Sequence, residues 1–92
     1  MAQTKTGSTS DVVMAGAHLD SIRGGPGIND NATGVAALLE TALQLGSSPQ
    51  VHNAVRFAFW GGQETGADGS TQYVRGLDQG QLADVALYLN FD

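Results

Sequence analysis

Ninety-two residues, 41% hydrophobic and 14% charged, make one small domain or a piece of a larger one, able to bury a core, and exclude a disordered acidic tail. Nine acidic residues against four bases give a net charge of −5, and Lys5, Arg23, Arg56 and Arg75 are scattered, so the clustered cations a nucleic-acid partner requires are missing. There is no cysteine, which excludes disulfides, thiolate metal sites and a cysteine nucleophile; any metal must be held by histidine and carboxylate.

Residues 1–10 carry one charge and no apolar stretch, which predicts a flexible or extended lead-in and not a signal peptide. No window approaches the ~18–20 apolar residues of a bilayer span, so no membrane partner is expected. Val12 to Leu19 is a nearly continuous apolar run, the pattern of a strand buried on both faces of a parallel sheet. Asp20 to Asp30 is a loop punctuated by Gly24, Gly25, Pro26 and Gly27. From Thr33 the period changes: Val35, Leu38, Leu39, Ala42 and Leu43 share one helical face, with Asn31 or Thr33 as cap and Gly46 and Pro49 as the stop.

Ala54 to Trp60 is a second buried strand closed by Gly61 and Gly62, and Ser70 to Gly76 predicts a short helix capped by Asp68 or Ser70. Asp78 to Asp84 reads as a turn or single helical turn, and Val85 to Phe91 as a third buried strand. The order β-α-β-α-β predicts an α/β fold with a mainly parallel sheet, right-handed crossovers and helices on both faces. The chain stops at Asp92, directly after an apolar run, and residues 11–92 are therefore expected to be a domain truncated at its C-terminus.

In open α/β sheets the binding crevice lies beyond the carboxyl ends of the strands. There the first strand delivers His18 and Asp20, its following loop Asp30, the second strand Gln63 and Glu64, and the third Asp92. One histidine and several carboxylates at one sheet edge form a donor set for a hard or borderline divalent ion. His18 and Asp20 lie two apart, on the same side of an extended chain: both bind metal, or one orients the other. Each residue also has a plainer role. His18 suits a core histidine, Asp20 a loop cap, Asp30 a helix cap, and Glu64 and Asp92 solvated ends. The glycine loop fits neither nucleotide-binding spacing, and no serine sits in a nucleophile elbow.

Gly16-Ala17-His18-Leu19-Asp20-Ser21, Gly27-Ile28-Asn29-Asp30-Asn31, Phe59-Trp60-Gly61-Gly62-Gln63-Glu64-Thr65-Gly66 and Tyr88-Leu89-Asn90-Phe91-Asp92 resemble, in order, the metal-site segments of the double-zinc bacterial aminopeptidases. The likeness covers residues 11–92. It implies a three-layer α/β/α fragment with the first strand central, and metal-assisted removal of N-terminal residues from peptides or proteins. It also implies that His18 and Asp92 ligate one zinc, Glu64 the other, and Asp30 both, with Asp20 supporting His18. Family members are often secreted.

The chain departs from that pattern in three places. The family carries two adjacent glutamates after the Trp-Gly turn, the first acting as general base; here that position is Gln63, whose amide cannot accept a proton from water at neutral pH. The family's last histidine ligand has no counterpart within the 92 residues, so one zinc or none is expected. Thr65, Ala67 and Asp68 stand where the family prefers apolar residues. The resemblance thus implies a zinc aminopeptidase fragment that is inactive or severely impaired. The alternative is a non-catalytic α/β pseudoenzyme or folding module with weak or no metal binding. An exposed sheet edge would favour self-association.

Overall fold

In the computed structural model, which describes residues 1–92, the elements run β1 (Ala2–Gln3), β2 (Ser8–His18), α1 (Thr33–Leu45), β3 (Asn53–Trp60), α2 (Asp68–Arg75), α3 (Gln79–Ala83) and β4 (Val85–Asn90). The sheet order is β1-β3-β2-β4. β2 is parallel to both β3 and β4, and β1 is antiparallel to β3. The first long strand is therefore central, flanked by the second and third, as the resemblance implied. In this register His18 pairs with Trp60 and Gly16 with Asn90, so the three parallel strands end at one edge of the sheet.

Alternating side chains send the core to both faces. On one face Ala15, Ala17 and Phe57 pack with Leu38 of α1, joined by Val35, Ala42, Leu45, Val55 and Phe59. On the other, Met14, Ala58 and Trp60 pack with Tyr73 of α2 and with Val85. Trp60 and Tyr73 stack at a tilt with ring centroids 5.3 Å apart. Helices thus cover both faces of a mostly parallel sheet. No helix is long and apolar enough to cross a membrane.

Several sequence expectations are corrected. Of the two readings of residues 1–10, the extended one describes the structure, and the segment is tied to the sheet: Ala2 and Gln3 pair with Phe57 and Arg56, Thr4 is buried, and β2 already begins at Ser8. The Thr4 N–H donates to the Val55 carbonyl and the Val55 N–H returns a bond to the Thr4 hydroxyl, both at 3.0 Å. The core-facing stripe of α1 is Leu38, which is buried, with Val35, Ala42 and Leu45 partly buried beside it, whereas Leu39 and Leu43 face solvent. A four-stranded sheet is too narrow to cover the wider face that the periodicity suggested. α2 begins at Asp68, earlier than predicted, after Ala67 turns the chain at φ +58°, and neither Asp68 nor Ser70 caps it.

The third apolar run forms β4, but it is not buried. Leu87, Tyr88 and Leu89 are exposed because β4 is the outermost strand. A groove of about 260 Å³ stays open between α1 and the end of β4, lined by Ala37, Leu38, Leu45, Leu89 and Phe91 among others. The helical turn predicted between Asp78 and Asp84 is α3, closed by a capping box: the Gln81 N–H donates to the Asp78 carboxylate at 2.8 Å and the Asp78 N–H to Gln81 Oε1 at 3.0 Å.

Candidate metal centre

β2 ends by placing His18, only 4% exposed, at the carboxyl edge of the sheet. Its Nδ1–H donates to the backbone carbonyl of Asp20 at 2.9 Å, which fixes the ring and turns Nε2 outward. Two carboxylates meet that nitrogen: Asp30 Oδ1 at 2.9 Å and Asp92 Oδ1 at 3.3 Å. Burial lowers the imidazole's proton affinity and is the largest single influence. The Asp20 carbonyl, the bond to Asp92 and the charges of Asp92 and Asp30 together outweigh it and leave the pKa above 6.5. These neighbours favour the protonated ring, and both carboxylates approach it on the Nε2 side.

Asp30 lies in an irregular turn, Ile28–Ala32, that precedes α1; the Asp30–Asn31 peptide is cis. The next residue, Asn31, is 2% exposed. Its Oδ1 accepts from the Gly34 N–H at 3.1 Å, so the capping role read from the sequence is present. Its Nδ2 donates to the Phe91 carbonyl at 2.8 Å, a contact that the sequence did not suggest. Phe91 in turn donates its N–H to the Gly16 carbonyl at 2.9 Å, which seats the end of β4 against β2 and delivers Asp92.

Asp20 does less for His18, and more for the turn after β3, than its spacing suggested. Its carboxylate stands 3.6 Å from His18 Nδ1. The same carboxylate accepts the Gln63 N–H on one oxygen and the Glu64 N–H on the other, both at 3.0 Å. The Glu64 and Gln63 N–H groups hold its pKa below the usual carboxylate value. Asp20 thereby anchors the turn that carries both residues.

The donor atoms of His18, Asp30 and Asp92 lie within 4.8 Å of one another and could hold a metal ion; the Glu64 carboxylate is not in that group. An imidazole nitrogen and two carboxylate oxygens, with no sulfur, suit a hard or borderline divalent cation. The whole chain, residues 1–92, matches Peptidase family M28. It belongs to that family.

Among M28-like relatives, the chain is 68% identical over all 92 residues to a protein named probable lipoprotein aminopeptidase LpqL from Mycobacterium tuberculosis. It is 51% identical to an aminopeptidase from Pseudomonas aeruginosa and 50% identical to probable leucine aminopeptidase 2 from Arthroderma benhamiae, again over its full length. It spans only 17–18% of the length of these curated relatives. The aminopeptidase resemblance carried by the four motifs is borne out.

Proposed function

We propose that this M28 chain carries a zinc-binding centre of an aminopeptidase, which acts on peptide or protein N-termini by metal-assisted hydrolysis, and that Gln63 leaves it severely impaired as a catalyst. The convergence of His18, Asp30 and Asp92 on a single point carries the reading. The donor set fits zinc: the bond from Nδ1 to the Asp20 carbonyl holds the imidazole in the orientation that frees Nε2, and two carboxylates offset the ion's charge. When bound, zinc polarises a carbonyl and lowers the pKa of a coordinated water.

The chain's own groups set the rest. His18, Asp30 and Asp92 hold one ion, and Glu64, on the turn braced by Asp20, is the donor on offer to a second. By the resemblance, Gln63 stands where the family has a proton-accepting glutamate, and lacking that base costs a factor of about 10²–10⁴ in rate. The amide at position 63 also favours the second reading, a non-catalytic α/β module.

Calorimetric zinc titration of the chain and of His18→Ala tests the proposal. Binding is expected in the first and a large loss of heat in the second. Equal heats from the two would refute binding at this site.

A further inference from the structure

Asp30 and Asp92 share an unusual situation. Their side chains are 64% and 47% exposed, so packing does not hold either carboxylate in place. They carry like charges, whose repulsion is relieved only by the His18 nitrogen that both approach. What lies beside them in the chain is different. Asn31, the neighbour of Asp30, is almost wholly buried and reaches 60 residues along the sequence to the carbonyl of Phe91, the neighbour of Asp92.

We infer that Asn31 is a positioning residue that sets the separation of Asp30 and Asp92, and through it the affinity of the centre for a divalent cation; this rests on the metal-binding reading above. The amide does this with both ends. Oδ1 takes the Gly34 N–H and locks the side chain to the first turn of α1, while Nδ2 holds the last residues of β4. Phe91 is thereby gripped from two sides, by Gly16 through its N–H and by Asn31 through its carbonyl. A carboxylate at position 31 would still accept from Gly34, but it would face the Phe91 carbonyl with no proton to offer. It would also add a third negative charge beside two others. A neutral amide meets both requirements.

Asn31→Asp is nearly isosteric and tests the clamp without opening a cavity. Zinc affinity, followed by calorimetry, is expected to fall about 10–100-fold, the usual cost of losing a group that orients metal ligands. Leu45→Ala, which loosens the core away from the site, is expected to keep wild-type affinity. In the metal-free chain, hydrogen exchange at the Phe91 amide is expected to accelerate in Asn31→Asp, with Ala17 and Ala58 unchanged. Wild-type zinc affinity in Asn31→Asp, or wild-type protection at Phe91, would overturn the inference. If the unaltered chain takes up no zinc, the functional reading fails by itself, and exchange at Phe91 still decides whether Asn31 clamps β4.

Discussion

Gly34 and Gly80 both sit within the first two residues of a helix, and the structure assigns opposite outcomes to replacing them with alanine. A Cβ at Gly34 would lie 2.3 Å from Asn31 Oδ1 and 2.5 Å from the Phe91 backbone carbonyl. Real Cβ atoms essentially never come closer than 3.0 Å, so the start of α1 and the end of β4 must part by about half an ångström or more. That strain costs about 1–3 kcal/mol as overpacking. Disturbing the buried Asn31 bonds costs about 1–3 kcal/mol more, and the helix-propensity gain from alanine returns only about 1 kcal/mol. The net loss is about 1–5 kcal/mol, against a total stability of about 5–14 kcal/mol for a domain of this size. At Gly80 the nearest atom is Asp78 Oδ1 at 3.4 Å, an ordinary contact, so alanine is tolerated and stabilises by up to about 1 kcal/mol. Each kcal/mol moves Tm by about 4–8 °C in a domain of this length. Thermal unfolding followed by circular dichroism should therefore show Gly34→Ala melting lower than wild type and Gly80→Ala at or slightly above it. If Gly34→Ala melts at or above wild type, the close approach of α1 to β4 is not as described.

The raised pKa of His18 gives the metal-free chain a pH dependence. The stabilisation is fully present below pH 6.5 and is lost as pH rises through the higher folded value. Urea titrations across pH 5–9 should show it in wild type and not in His18→Gln; parallel curves would contradict it. Arg56 donates from Nε to Gln3 Oε1 and from Nη1 to the Tyr73 hydroxyl, both at 2.7 Å, tying β1 and α2 to β3. Arg56→Met keeps most of the stem and should cost about 1–2 kcal/mol, with faster amide exchange at Gln3; a chain as stable as wild type would show these bonds to be idle. We propose that the open edge of β4 pairs with a second copy. Sedimentation should show concentration-dependent association that Leu87→Lys suppresses, and a monomer at every concentration would refute it.

The parts of the fold legible in the sequence are those whose burial is written in composition. Val12 to Leu19 and Ala54 to Trp60 are apolar runs because helices cover both sides of them, and they became β2 and β3 within a few residues of the expected bounds. Ala2 and Gln3 carry no such pattern, since a two-residue strand exists only because β3 offers it a partner. Leu39 and Leu43 satisfy the helical period yet face solvent, because periodicity marks an apolar face and not the width of what covers it. In the centre, His18, Asp30 and Asp92 could be named from strand ends and one loop, where side-chain chemistry identifies a residue. The partners of Asp20 and Asn31 could not. They are main-chain groups of Gln63, Glu64 and Phe91, and every residue has such groups.

Asp92 meets His18 across 74 residues of chain, whereas Asp30 follows His18 by only a short loop. Joining the first two donors closes a small loop, and adding the third requires nearly the entire polypeptide to have found its place. A partly folded chain with β4 unseated offers two donors and grips an ion poorly. On the metal-binding reading proposed above, ion uptake would follow the seating of β4 against β2. On that reading, each tenfold rise in free ion above its dissociation constant would add about 1.4 kcal/mol to the state in which β4 is seated.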